Sequence, residues 1–116
     1  MELLIIILNK PEYFEKLVSL LIEAGITGAT ISESEGIGHY LAFEIPIFAG
    51  LRQFFQEGKT RNRTITAVLD KEEIYNNLKN LLAEENIDFT EPGVGVIIKL
   101  PINEVIKSRP QPQTPL

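Results

Sequence analysis

The chain predicts an α+β domain of the ferredoxin-like β-α-β-β-α-β type: a four-stranded antiparallel sheet with two helices on one face. Three observations predict it. Aliphatic stretches at 2–8, 26–36, 64–69 and 94–100 are bounded by Gly, Pro, Asn or Asp and read as strands. The segments 11–24 and 71–84 carry apolar residues at helical spacing. Their order is strand, helix, strand, long insertion, strand, helix, strand. A chain of 116 residues supports one domain with a modest core.

The first strand, 2–8, is almost continuously aliphatic, as expected of a central strand covered by other elements. Asn9-Lys10-Pro11 ends it, and Pro11 suits the first helical position because its missing N–H costs nothing there. Over 11–24, Phe14, Leu17, Val18, Leu21 and Ile22 recur on one helical face. Glu12 and Glu15 fall in the first turn, where carboxylates suit the dipole, and Gly25 supplies a left-handed C-cap. The second strand follows, with Ile26 and Ile31.

The stretch 36–63 is too long for a hairpin turn. Residues 39–45 partly alternate and read as a strand extension. Pro46 interrupts it, and Phe48, Leu51, Phe54 and Phe55 then fit one face of a short helix. Asp70 reads as the N-cap of the second helix, with Glu73 three residues on. Ile74, Leu78, Leu81 and Leu82 point inward from that helix, and Tyr13, Tyr75 and Phe89 read as packing residues. The domain is therefore expected over 1–109, with 37–60 as an insertion. The polar, proline-rich residues 110–116 are expected to form an extended, poorly ordered tail. The sheet face away from the helices keeps aliphatic side chains, and oligomerisation is the simplest cover for it.

Composition narrows the function. There is no cysteine, so thiolate metal sites, disulfides and a cysteine nucleophile are excluded, and a single histidine leaves little for zinc. A net charge of −5 argues against broad nucleic-acid binding, although Arg52, Lys59, Arg61 and Arg63 gather locally and can steer an anion. The apolar start lacks a basic n-region and the length to span a bilayer, so a cytoplasmic protein without membrane insertion is expected. No Ser-His-Asp order, phosphate P-loop or metal cluster is present, and no enzymatic role is expected.

What remains are binding features, each with two readings. Gly93-Val94-Gly95 either converges backbone N–H groups on an anion or makes the turn into the last strand. Gly36-Ile37-Gly38 either hinges a mobile loop or ends a strand. His39 beside it is an anion-binding or pH-sensitive group, or a plain polar loop residue. Lys107 and Arg109 either offer charge to phosphate oxygens or form a solvated chain end. Phe48, Leu51, Phe54 and Phe55, with Arg52, either dock a partner or pack within their own protein.

The stretches "EAGITGATISESEGIG", "VLDKEEIYNNLKNLL" and "GVGVIIKLPINEVIKSR" together resemble the nitrogen regulatory PII signalling family, in particular its divergent PII-like members, over residues 1–109. The shared parts are Ala24-Gly25, then Gly36-Ile37-Gly38 opening a "T-loop". They continue with Gly93-Val94-Gly95 as a "B-loop", Leu100-Pro101, Asn103-Glu104, and Lys107 with Arg109. The resemblance implies a homotrimer that binds ATP, ADP or AMP, or another small anion, in clefts between subunits. Gly36 to His39 and Gly93 to Gly95 would line the cleft, and Lys107 and Arg109 would bring positive charge. The 37–60 loop would change shape and dock onto a protein target such as a transporter or metabolic enzyme. The family members are sensors, not catalysts.

This sequence departs from the pattern in three places. Val96 stands where a lysine usually reaches the phosphates, Lys107 where an arginine is common, and no tyrosine sits where the T-loop is modified, because Tyr40 is too near its start. A weaker ATP site, a preference for fewer phosphates and a different ligand all remain open. So does a trimeric interaction module that works through the aromatic loop without nucleotide. ACT-type and CutA-type domains share the topology, but no catalytic domain accompanies this one and metal ligands are lacking. Acylphosphatase shares it too, and fold alone does not give function.

Overall fold

A computed structural model describes residues 1–54 and 62–109. The elements run β1 (Glu2–Leu8), a 3-10 turn (Pro11–Tyr13), α1 (Phe14–Ala24), β2 (Thr30–Ser34) and α2 (Ile37–Glu44). A 3-10 helix (Pro46–Phe54), β3 (Asn62–Leu69), α3 (Glu72–Glu84) and β4 (Gly95–Pro101) follow. The sheet order is β2-β3-β1-β4, and every neighbouring pair is antiparallel. This is the ferredoxin-like arrangement predicted from the sequence.

The aliphatic β1 is central, hydrogen-bonded on both sides, with Ile5 opposite Thr66 of β3 and Ile98 of β4. Alternation then sorts its side chains between two faces. Leu4, Ile6 and Leu8 join Ile65, Ala67 and Leu69 of β3 in the buried core. Against them pack Leu17, Leu20, Leu21 and Ala24 of α1 and Leu78 and Leu82 of α3. Tyr13, Tyr75 and Phe89 pack at its margin, as expected.

The other face is apolar and bare. The register aligns Leu3 with Val68 and Leu100, Ile5 with Ile98, and Ile7 with Val96. Val68, Val96, Ile98 and Leu100 are exposed. A contiguous apolar face of this kind is uncommon on a monomer.

Helix α1 ends as the sequence requires. Gly25 takes φ +101°, its N–H donates to the Ile22 carbonyl at 3.0 Å, and the Ile26 N–H donates to the Leu21 carbonyl at 2.8 Å. These bonds form a Schellman motif, which draws Ile26 into the core and delays β2 until Thr30. The second strand is therefore shorter than 26–36.

Two further expectations are corrected. Residues 39–45 do not extend a strand. Residues 39–44 belong to α2 and Ile45 is its C-cap, because β2 pairs with β3 only as far as Ser34 opposite Asn62, and Ala42 is buried as α2 packs on the following 3-10 helix. Partial alternation over so short a stretch does not distinguish the two periods. Asp70 does not cap α3 either: the N-cap position is Lys71, and no side chain bonds there. The helix expected around Phe48 and Leu51 is present as the 3-10 segment, while Phe55 and residues 110–116 lie outside the described residues.

The loop from α3 to β4 is tied locally. Asn86 takes φ +58°, and the Ile87 N–H donates to the Leu82 carbonyl at 3.0 Å. Asp88 Oδ1 then accepts from the Thr90 backbone N–H at 2.8 Å and from the Thr90 hydroxyl at 2.6 Å. Those bonds, the hydroxyl's first, hold the Asp88 carboxyl below its ordinary 3.8. A depressed carboxyl stabilises the fold above that ordinary value, and its contribution is lost as pH falls through the lowered one. Thr90→Val removes the hydroxyl, so carboxyl NMR titration is expected to show Asp88 moving back up toward 3.8. An unmoved titration would contradict this account of the loop.

Candidate functional site

At the Gly95 end of β4, five separate stretches meet around a cavity of about 420 Å³. The β1–α1 junction supplies Asn9, Lys10, Pro11 and Glu12, and the start of α2 supplies Gly36, Gly38 and His39. Phe54 comes from the end of the 3-10 helix, Asn62 from the start of β3, and Gly93 from the loop before β4. The volume falls in the range of small-molecule sites.

Backbone bonds set this geometry. The Asn9 N–H donates to the Val94 carbonyl at 2.8 Å, fastening the end of β1 to the glycine loop. Ser34 Oγ lies 2.7 Å from Thr64 Oγ1 and 3.3 Å from the Asn62 carbonyl, fixing the chain just before Gly36 to the start of β3.

Gly93, just before β4, and Gly95, its first residue, differ in what surrounds them. Gly95 is structural: at φ +147°, an added Cβ would lie 2.0 Å from the Ile7 carbonyl oxygen. Glycine there lets β4 come against β1. Gly93, at φ +78°, has open space around its Cβ position and lines the cavity. Val94 between them is buried in the core, so the loop presents backbone rather than side chain.

Gly36 and Gly38 join Gly93 at the same cavity, 55 or more positions away in sequence (93 − 38 = 55). Gly36 is the N-cap of α2, in extended backbone, and no side chain caps that helix. The first-turn N–H groups and the positive end of the dipole therefore lie at the cavity's edge. His39 Nδ1 lies 2.6 Å from Glu35 Oε2, and its ring centroid lies 4.6 Å from that of Phe43. Both contacts fix the ring in the wall. Ile37 points away and is largely exposed.

Several predicted residues lie elsewhere. Lys107 and Arg109 sit in the irregular, exposed stretch after β4 and do not line this chain's cavity. Phe48 and Leu51 are partly exposed on the 3-10 helix, while Phe54, 71% exposed, is at the cavity mouth. Arg52 is engaged within the chain: its Nε–H donates to the Ala42 carbonyl at 2.8 Å, and its guanidinium lies 5.6 Å from the Phe43 ring. It clasps the 3-10 helix to α2. Arg63 stacks on Phe14 at 4.6 Å, and Lys59 and Arg61 lie outside the described residues.

Sequence reasoning missed Lys10, Asn9 and Asn62. The Asn9-Lys10-Pro11 break read only as the end of a strand. A cation beside a forced chain break was the available signal.

A larger hollow of about 540 Å³ lies between α3 and the loop at 86–91, over Tyr75, Leu82, Phe89 and Ile97. Those side chains border the core, and no glycine backbone faces it. The glycine cavity differs in its lining, where Gly36, Gly38 and Gly93 stand together with Lys10 and Glu12.

Comparison with known proteins places this geometry in context. The family model described as nitrogen regulatory protein P-II matches residues 1–112. A solved CPII from Thiomonas intermedia K12, bound to ADP, AMP and acetate, is similar at 25% identity and a TM-score of 0.54. The match covers 85% of this chain and 82% of that one. No curated protein matches the sequence.

The division between the glycines is testable. Gly95→Ala is expected to destabilise by about 3 kcal/mol or more, because the new methyl meets backbone that cannot turn aside. Gly93→Ala is expected to cost only about 1–2 kcal/mol, the strain of a left-handed residue. Urea unfolding of both variants measures the difference, and equal losses would show that Gly95 is not the packing glycine.

Proposed function

We propose a function from one premise: this chain belongs to the nitrogen regulatory protein P-II family. It is a regulatory protein that binds an adenine nucleotide in the glycine-lined cavity and signals to a protein target through the 37–60 insertion. The observation that carries this reading is the convergence of Gly36, Gly38 and Gly93 on one cavity with Lys10 and an uncapped helix start. Oriented N–H groups beside a cation suit phosphate oxygens. The ADP and AMP bound to the similar CPII support the ligand class.

The bare sheet face supports a homotrimer. Three copies turning their Ile5, Ile98 and Leu100 faces together would bury apolar surface that one copy leaves in water. In such an assembly the exposed Lys107 and Arg109 would serve a neighbour's cavity rather than their own. The protein would act in the cytoplasm, without chemistry of its own.

The insertion supports the signalling role. The two ends of its described part, at Gly38–His39 and Phe54, both line the cavity. Ile47, 85% exposed, and Phe48 offer an apolar surface to a partner. A ligand touching both ends would shift the insertion only if it favoured one arrangement. A second reading, a nucleotide-independent interaction module, draws on Arg52, which holds the 3-10 helix at Pro46–Phe54 against α2.

Calorimetric titration with ATP, ADP, AMP and cyclic AMP separates the two. One saturable site per chain, with a light-scattering mass of three chains, is the expected result. Silence across the panel at millimolar ligand would leave the interaction module standing.

A further inference from the structure

The nucleotide reading leaves one chemical problem open. Val96 takes the place where a lysine would reach the phosphates, and it lies on the open sheet face, opposite Ile7, outside the cavity. Beyond the charge that a neighbour's Lys107 and Arg109 would bring, a bound phosphate would draw on whatever cation this subunit's own cavity wall carries. Among the described residues lining the cavity, Lys10 is the one lysine or arginine.

Three features suit Lys10 to that task. Its backbone is held where the glycine loop passes. The Asn9 N–H bonds to the Val94 carbonyl at 2.8 Å, Leu8 pairs with Gly95, and the Lys10 carbonyl accepts from the Tyr13 N–H at 3.1 Å. Pro11 follows and restricts the backbone further. Lys10 is therefore presented from a fixed point beside Gly93.

Its charge is also available. Lys16 and Lys99 are neutralised by Glu85 and Glu2, whereas Lys10 forms no ion pair among the described residues. Its ammonium rests 5.5 Å from the centre of the Tyr13 ring, a weak cation–π contact that orients the side chain and leaves its charge unspent. A flexible stem carrying three rotatable donors can then follow a phosphate on its arrival.

We propose that Lys10 is this subunit's own phosphate-binding cation in the cavity, taking a nucleoside phosphate at the Gly93 backbone. This inference rests on the nucleotide-site reading, and its test separates the two. Wild type, Lys10→Gln and Lys10→Arg would be titrated by calorimetry with AMP, ADP and adenosine at fixed ionic strength. Thermal unfolding of each variant would confirm an intact fold.

Lys10→Gln is expected to weaken AMP and ADP about tenfold to a hundredfold, the range of one charge-assisted hydrogen bond. Adenosine, which has no phosphate, should bind wild type and variant alike, and Lys10→Arg should retain most of the nucleotide affinity. Nucleotide binding by Lys10→Gln at wild-type strength would overturn the assignment while leaving the site in place. An equal loss for adenosine and AMP would also overturn it, since Lys10 would then shape the cavity rather than hold phosphate. A wild-type protein silent to every nucleotide would remove the site itself, and the assignment with it.

Discussion

The approach of β4 to β1 at Gly95 is the contact on which the arrangement of the cavity depends. No side chain fits there, because a Cβ would stand 2.0 Å from the Ile7 carbonyl oxygen. Because the backbones meet that closely, Leu8 pairs with Gly95 and the Asn9 N–H reaches the Val94 carbonyl. Lys10 and Gly93 are consequences of that junction, carried into the cavity wall from opposite sides of it. The glycine that packs and the glycine that lines the cavity are two positions apart and differ in their surroundings.

The same central strand organises the opposite face of the sheet. A strand as aliphatic as β1 can be covered on both sides, and in one chain only the helix side is covered. Its outward residues align with β4 in register, so Val96 belongs to the bare face although it directly follows the glycine motif. The strand's alternation decides which residues reach the cavity. Position 96 contributes to surface that an assembly can bury, and under the proposed reading a phosphate-facing charge would come from another element.

Much of the fold was legible because its signals were periodic or terminal. The run at Glu2–Leu8, the inward spacing of Leu17, Leu21, Leu78 and Leu82, and the stop at Gly25 each follow from a local rule. The failures have physical causes. Ile26 looked like strand and is instead the hydrophobic end of a Schellman motif. Residues 39–45 looked alternating, yet Ala42 turns inward against a helix that sequence periodicity does not reveal. For the site, the glycine-rich stretches were readable, but their meeting was not, because it depends on strand register. Lys10 was invisible for the same reason: nothing local tells a strand-ending lysine from one aimed at a distant loop.

Arg52 shows how a residue read as a surface contact gains another meaning once its neighbours are known. Its bond to the Ala42 carbonyl joins the 3-10 helix to α2, and the cavity touches the beginning of α2 and the end of that 3-10 helix. The clasp and the cavity therefore act on the same pair of elements from different sides. Under the proposed reading, a ligand that fits the clasped geometry would reinforce it, and one that needs the ends farther apart would work against the Arg52 bond. The signal would then be the difference between those two fits, since a ligand indifferent to the spacing shifts nothing however tightly it binds. The packing of the 3-10 helix on α2 within residues 37–54 suits such a device, because two packed arrangements differ discretely, whereas a formless loop offers no second state to select.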